Sequence, residues 1–117
     1  MEKRPKVYDM SFASIYKMYL AKIERKNQRQ SDLNKIIFWL TGYDQYKLSK
    51  QIEDMVSLEE FINQAPQINK NTHLIKGSIC GYRVEDIEDP LMQKIRYLDK
   101  LVDELARGRS MDKILRS

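Results

Sequence analysis

The sequence predicts an all-α fold, a compact multi-helix bundle with non-parallel packing. Three observations carry that reading. The composition is 42% apolar and 32% charged with 3 prolines, a globular and helix-tolerant mixture rather than a disordered one. Apolar side chains recur at helical spacing in segment after segment, each bounded by capping residues. The strongest of these segments opens with Asp89 before Pro90 and places Leu91, Ile95, Leu98, Leu101, Val102 and Leu105 on one face.

Taken in order, residues 1–8 read as a polar arm, because Pro5 opposes helix. Asp9 or Ser11 caps a first helix, whose apolar positions are Phe12, Ile15, Tyr16, Tyr19 and Ile23. KNQRQ, residues 26–30, breaks the pattern. Ser31 is the expected cap of a second helix carrying Leu33, Ile36, Ile37 and Leu40, with Phe38 and Trp39 beside them. Being apolar nearly all round at its end, this helix belongs near the centre. Gly42 stops it, since glycine accepts a left-handed conformation cheaply. Asp44 caps a third helix through Leu48, Ile52 and Met55. Ser57 and Glu60 have the spacing of a capping box for a fourth, which holds Leu58, Phe61, Ile62 and Ala65 and ends at Pro66. A polar loop, 67–73, precedes an ambiguous stretch, 74–87, expected to be irregular or to form short strands. Gly108 closes the long helix, and Ser110 caps a short last one with Met111, Ile114 and Leu115. The helices differ in length, which argues against a parallel array. The 117 residues fit a single helical domain large enough to bury one core.

KVYDMSFASIY (6–16), WLTGYD (39–44) and LIKGSICGYRVEDIEDPLMQKIRYLDKLVDELARG (74–108) together resemble a family of small, mainly bacterial proteins with domain of unknown function 2200. The resemblance runs from about Lys6 to Arg116. It implies a largely helical soluble fold and transfers no catalytic residue.

The bulk numbers narrow the function classes. One cysteine cannot form an internal disulfide, which suggests a reducing compartment. The N-terminus lacks the apolar run of a secretory signal, and no window is apolar enough to span a membrane, so a cytoplasmic location is expected. The net charge of +4 is uneven: residues 1–50 carry +6 and residues 51–117 carry −2.

Several constellations invite chemistry. One His and one Cys cannot complete a structural zinc site, and neither a metal site nor a cofactor is expected. Gly77 and Gly81 flank the only cysteine, with Lys76 and Arg83 outside them, and such a turn can form an anion nest between two cations. The structural alternative is a tight connection in which Ile79 and Cys80 fill the core. Cys80 with His73 as base and Asp86 as orienting acid has the residue types of a nucleophilic site, without a family signature around the thiol. EDIED, 85–89, reads as helix-entry chemistry or as a contact for a cation or basic partner. Lys94 falls inside the apolar arc of the long helix and must snorkel, find an acid or face a ligand. The basic stretch with Lys22, Arg25, Lys26 and Arg29, helped by Lys3, Arg4 and Lys6 and by Tyr8, Tyr16 and Tyr19 as stacking groups, is the candidate anion or nucleic-acid patch. The tyrosines, however, fall on the face expected to be buried.

Three functions remain in play. The leading one is a small binding or interaction module for a protein partner or a small anionic ligand. The others are an enzyme with a site near Lys76–Arg83 and Lys94, and a weak nucleic-acid binder using the basic N-terminal half.

Overall fold

Local chemistry decides where each helix begins and ends. The computed structural model describes residues 4–116. Lys3 and the rest of 1–3 lie outside the described residues. A 3-10 helix at Lys6–Asp9 leads into α1, Phe12–Glu24, which is capped by Ser11: its hydroxyl accepts from Ser14 N–H at 3.2 Å. The polar arm therefore ends early, because Tyr8 is buried, with 5% of its surface exposed. α2, Gln30–Thr41, starts one residue before the expected Ser31 cap, with Arg29 at the cap position and no side-chain cap bond. It ends on Gly42 in the left-handed conformation, φ 79°. A Cβ there would meet the Gln67 backbone at 3.0 Å, so glycine both ends the helix and lets the returning chain close on it.

Asp44 caps α3, Gln45–Glu53, by accepting from Lys47 N–H at 2.8 Å. Ser57 caps α4, Leu58–Asn63, through Glu60 N–H. A 3-10 helix, Lys70–Leu74, occupies part of the expected polar loop. The ambiguous stretch resolves into a two-stranded antiparallel hairpin, β1 (Ser78–Ile79) and β2 (Tyr82–Arg83), pairing Ile79 with Tyr82 and Ser78 with Arg83. A third 3-10 helix, Val84–Asp86, leads to α5, Pro90–Ala106, where the Asp89 carboxylate accepts from Leu91 N–H. α6, Met111–Ile114, closes the chain.

These elements make the mainly helical bundle that the periodicity predicts. α5 is the organiser: it packs on α1, α2, α4, α6 and β1. Its stripe Ile95, Leu98, Leu101, Val102 and Leu105 is buried, as expected, and Leu91 packs against the core from its edge. The rings of Phe12 and Phe61 stack at 3.6 Å between centroids, with Tyr43 against the other side of the group at 4.7 Å from Phe61. Backbone bonds from Phe12 N–H to the Val56 carbonyl and from Leu58 N–H to the Met10 carbonyl pin the starts of α1 and α4 together. The radius of gyration, 13.5 Å, matches the value of about 13 Å expected for a compact chain of this length. Among the described residues, no helix is long and apolar enough to cross a membrane.

One charged group is built into the interior. Glu104 is 5% exposed and accepts from Arg109 at 3.0 Å and from Arg116 at 2.7 Å. This clasp fastens the chain after α5 back onto the helix.

Candidate functional site

The hairpin stands at the end of a groove between α1 and α5. Its turn is Cys80–Gly81, with φ of 53° and 83°. Two consecutive left-handed residues are the type I′ pattern, whose twist matches that of the flanking strands. The turn carries the cysteine outward. Cys80 is exposed, which corrects the expectation of a thiol filling the core. Only Ile79 of that pair packs inward.

The groove encloses about 520 Å³. Its apolar walls include Val7, Ile15, Met18, Ile79, Ile95 and Val102, and Met18 is 58% exposed. Polar groups gather along it. Tyr19 Oη donates to Asp99 Oδ1 at 2.5 Å. Arg96 Nη1 donates to Asp99 Oδ2 at 2.6 Å and lies 3.7 Å from Cys80 Sγ. Burial pushes the Tyr19 phenol well above the ordinary tyrosine range, and the neighbouring Asp99 carboxylate adds to the effect. Lys22, also in the lining, is held by Asp103 at 3.2 Å. Arg25 is exposed in the lining and donates to the Ala21 carbonyl of its own helix. Neither Arg25 nor the partly buried Lys94 forms an ion pair among the described residues.

The structure thus joins parts of two surfaces that the sequence keeps apart. Lys22 and Arg25, from the basic helix, share the groove with Ile79 and Cys80 of the hairpin. Lys26 and Arg29 are exposed beyond it, in and after the turn that follows α1. Tyr8 and Tyr16 are buried, and each spends its hydroxyl internally, on Asp89 and Asn34.

The predicted set Lys76, Gly77, Gly81, Arg83 and Lys94 does not converge. Gly81 and Arg83 line a separate cleft on the hairpin's other side, with Asp86, Glu88 and Met92. Lys76 is exposed, and neither it nor Lys94 lines either cleft. The anion nest at Gly77 is filled by the protein itself. Gly77 N–H donates to Glu85 Oε1 at 3.1 Å, and Arg83 pairs with the other Glu85 oxygen at 3.1 Å. Hydrogen bonds from backbone N–H groups, Gly77 among them, lower the Glu85 pKa. The lysine that touches this turn is Lys100, which donates to the Ser78 carbonyl at 3.1 Å and fills the space a Gly77 side chain would need.

Cys80, His73 and Asp86 are likewise dispersed. Cys80 lines the groove, Asp86 lines the second cleft, and the His73 ring sits 3.0 Å from the Lys70 carbonyl in neither. EDIED divides its labour: Asp89 caps α5 and holds Tyr8, Glu85 serves the Gly77 turn, and Asp86 and Glu88 are exposed. Among the described residues, no three His, Cys, Asp or Glu side chains gather to hold a metal ion. Sequence reasoning missed Arg96 and Asp99, whose i, i+3 spacing announces an ion pair but not its place in a groove.

Comparison with known proteins agrees with this picture of the fold. The family described as "Uncharacterized protein conserved in bacteria (DUF2200)" matches residues 6–116. A crystal structure titled "Crystal structure of uncharacterized protein SP1917" is similar at 40% identity with a TM-score of 0.91, covering 98% of this chain and 94% of that one. No curated protein matches the chain.

Proposed function

The chain belongs to the bacterial DUF2200 family, and we propose that it acts as a small binding module whose ligand seats in the groove between α1, α5 and the hairpin. The ligand class is an apolar molecule carrying one anionic group. The volume of about 520 Å³ falls within the usual range for small-molecule sites, roughly 300–1,000 Å³. Its walls are mainly aliphatic and methionine, which adapts to irregular apolar shapes. The polar edge is fixed in advance, because Tyr19 and Arg96 both hold Asp99 and Asp103 holds Lys22.

The observation that carries the reading is Arg25. Of the three cations in the lining, Lys22 and Arg96 are already paired with carboxylates. Arg25 pairs with none among the described residues and lines the same groove as exposed Met18, two helical turns further along α1. An unpaired guanidinium next to open apolar wall suits an amphipathic anion.

Two fluorescent probes test this. Anilinonaphthalene sulfonate is apolar and anionic, whereas N-phenylnaphthylamine is apolar and neutral. Both should brighten on titration with the folded protein. Arg25→Glu should weaken the anionic probe about fivefold or more and leave the neutral one unchanged. Met18→Asp should weaken both. No brightening with either probe, or equal affinity of the anionic probe for wild type and Arg25→Glu, overturns the proposal.

A further inference from the structure

A second cleft, away from the groove, is lined by Trp39, Gly42, Gln67, Asn69, Lys70 and Asn71 and encloses about 360 Å³. It forms where the chain folds back over the end of α2. Gln67 N–H donates to the Thr41 carbonyl and Asn69 N–H to the Leu40 carbonyl, both at 3.0 Å. These bonds satisfy helix-end carbonyls that would otherwise lack partners. Both ends of the Asn69 side-chain amide help to hold this corner. Its amide nitrogen donates to the Trp39 carbonyl at 3.2 Å, and its oxygen accepts from Asn71 N–H at 2.8 Å.

Trp39 is the only tryptophan, and it is half-buried: it packs against the core and also lines the cleft. The side-chain amides of Gln67 and Asn71 make no hydrogen bond among the described residues, and each amide offers a donor and an acceptor side by side. Lys70 supplies the only charge in the lining, with no carboxylate within 4.0 Å among the described residues. The Gln67 backbone closes directly over Gly42, which brings the Gln67 side chain to the cleft.

We propose that this cleft binds a mononucleotide: the base stacks against Trp39, the amides of Gln67 and Asn71 read its edge, and Lys70 takes the phosphate. Every base has a flat π-face that an indole can stack on, and paired donor–acceptor groups match the base edge. An acid-free lining with one cation favours a ligand with a phosphate over a neutral sugar. The cleft volume is at the small end of ligand sites, which suits one nucleotide rather than a longer strand.

The single tryptophan makes the site its own reporter. Trp39 emission, excited at the red edge of its absorption, is followed during titration with guanosine and uridine monophosphates and with ribose 5-phosphate. Saturable quenching by the nucleotides and little by ribose 5-phosphate is expected. Lys70→Glu should weaken it about fivefold. Gln67→Ala and Asn71→Ala should weaken it as well, and because these side chains hold no structural bond, the variants should melt like wild type. Absence of saturable quenching overturns the proposal. So does equal quenching by ribose 5-phosphate, or wild-type affinity in all three variants. The groove probes do not depend on this outcome, since Arg25 and Met18 line a different cleft.

Discussion

Replacing Tyr19 with phenylalanine tests the polar edge of the groove with one oxygen atom. The Tyr19 hydroxyl donates to Asp99 at 2.5 Å, and Asp99 keeps Arg96 at 2.6 Å when the hydroxyl is gone. A hydrogen bond to a charged group contributes about 1.5–3 kcal/mol. With Arg96 still in place, the loss belongs near the lower part of that range, about 2 kcal/mol. For a domain of this size that corresponds to a melting temperature lower by roughly 8 °C. The pH dependence identifies the cause. The folded-state pKa of Tyr19 is raised well above 10.0, so its contribution is complete below pH 10 and is lost as pH rises through the folded value. Above pH 10 the unfolded chain releases this proton while the folded chain keeps it. The Tyr19 contribution then falls by about 1.4 kcal/mol per pH unit, a loss the phenylalanine variant does not share. The gap between the two proteins should be about 2 kcal/mol at pH 7 and smaller at about pH 11. Urea unfolding followed by circular dichroism at both pH values measures it. A variant within about 0.5 kcal/mol of wild type at pH 7, or a gap that stays constant above pH 10, refutes the reasoning.

Other perturbations follow from the same geometry. Glu104→Ala removes the buried carboxylate that Arg109 and Arg116 grip and should cost about 3 kcal/mol in urea unfolding, whereas a surface pair would cost under about 1. Asp89→Ala should destabilise at neutral pH and converge with wild type in acid. The Tyr8 hydrogen bond lowers the Asp89 pKa below 3.8, so that stability exists above the unfolded value and disappears as pH falls through the folded one; thermal melts from pH 7 to 2 follow it. Cys80→Gly should fold at least as stably as wild type, because φ 53° is a glycine-friendly angle, while Cys80→Val should lose about 1 kcal/mol. In the wild-type protein a thiol reagent should modify Cys80 without denaturant, and a thiol protected until unfolding would contradict its placement.

Much of the fold was legible because helix ends are local chemistry. Gly42, Asp44, Ser57 and the Asp89–Pro90 pair act within a few residues of themselves, and each stands where its side chain demands. The stripe of α5 was legible for the same reason, since a 3.6-residue period needs no knowledge of partners. Ser31 misled by two residues, since the cap position is Arg29 and α2 starts without a side-chain cap at all. The hairpin was ambiguous because its strands are two residues long and its turn is Cys-Gly rather than the more telling Asn-Gly. Cys80 looked like core filler because free cysteines are usually buried, and the turn geometry overrides that tendency. The groove was not legible, because Tyr19 and Asp99 are 80 positions apart and meet only once α1 lies against α5. Glu104 hid for a related reason: Arg116 grips it from 12 residues away, beyond any helical neighbour rule.

The most direct measurement of the central claim is a methyl-resolved NMR titration of the folded protein with anilinonaphthalene sulfonate. The account predicts that the shifts concentrate on groove methyls, among them Met18, Ile79, Ile95 and Val102. Shifts that instead gather on methyls outside the groove, such as Leu48, Leu74 or Ile114, would contradict it.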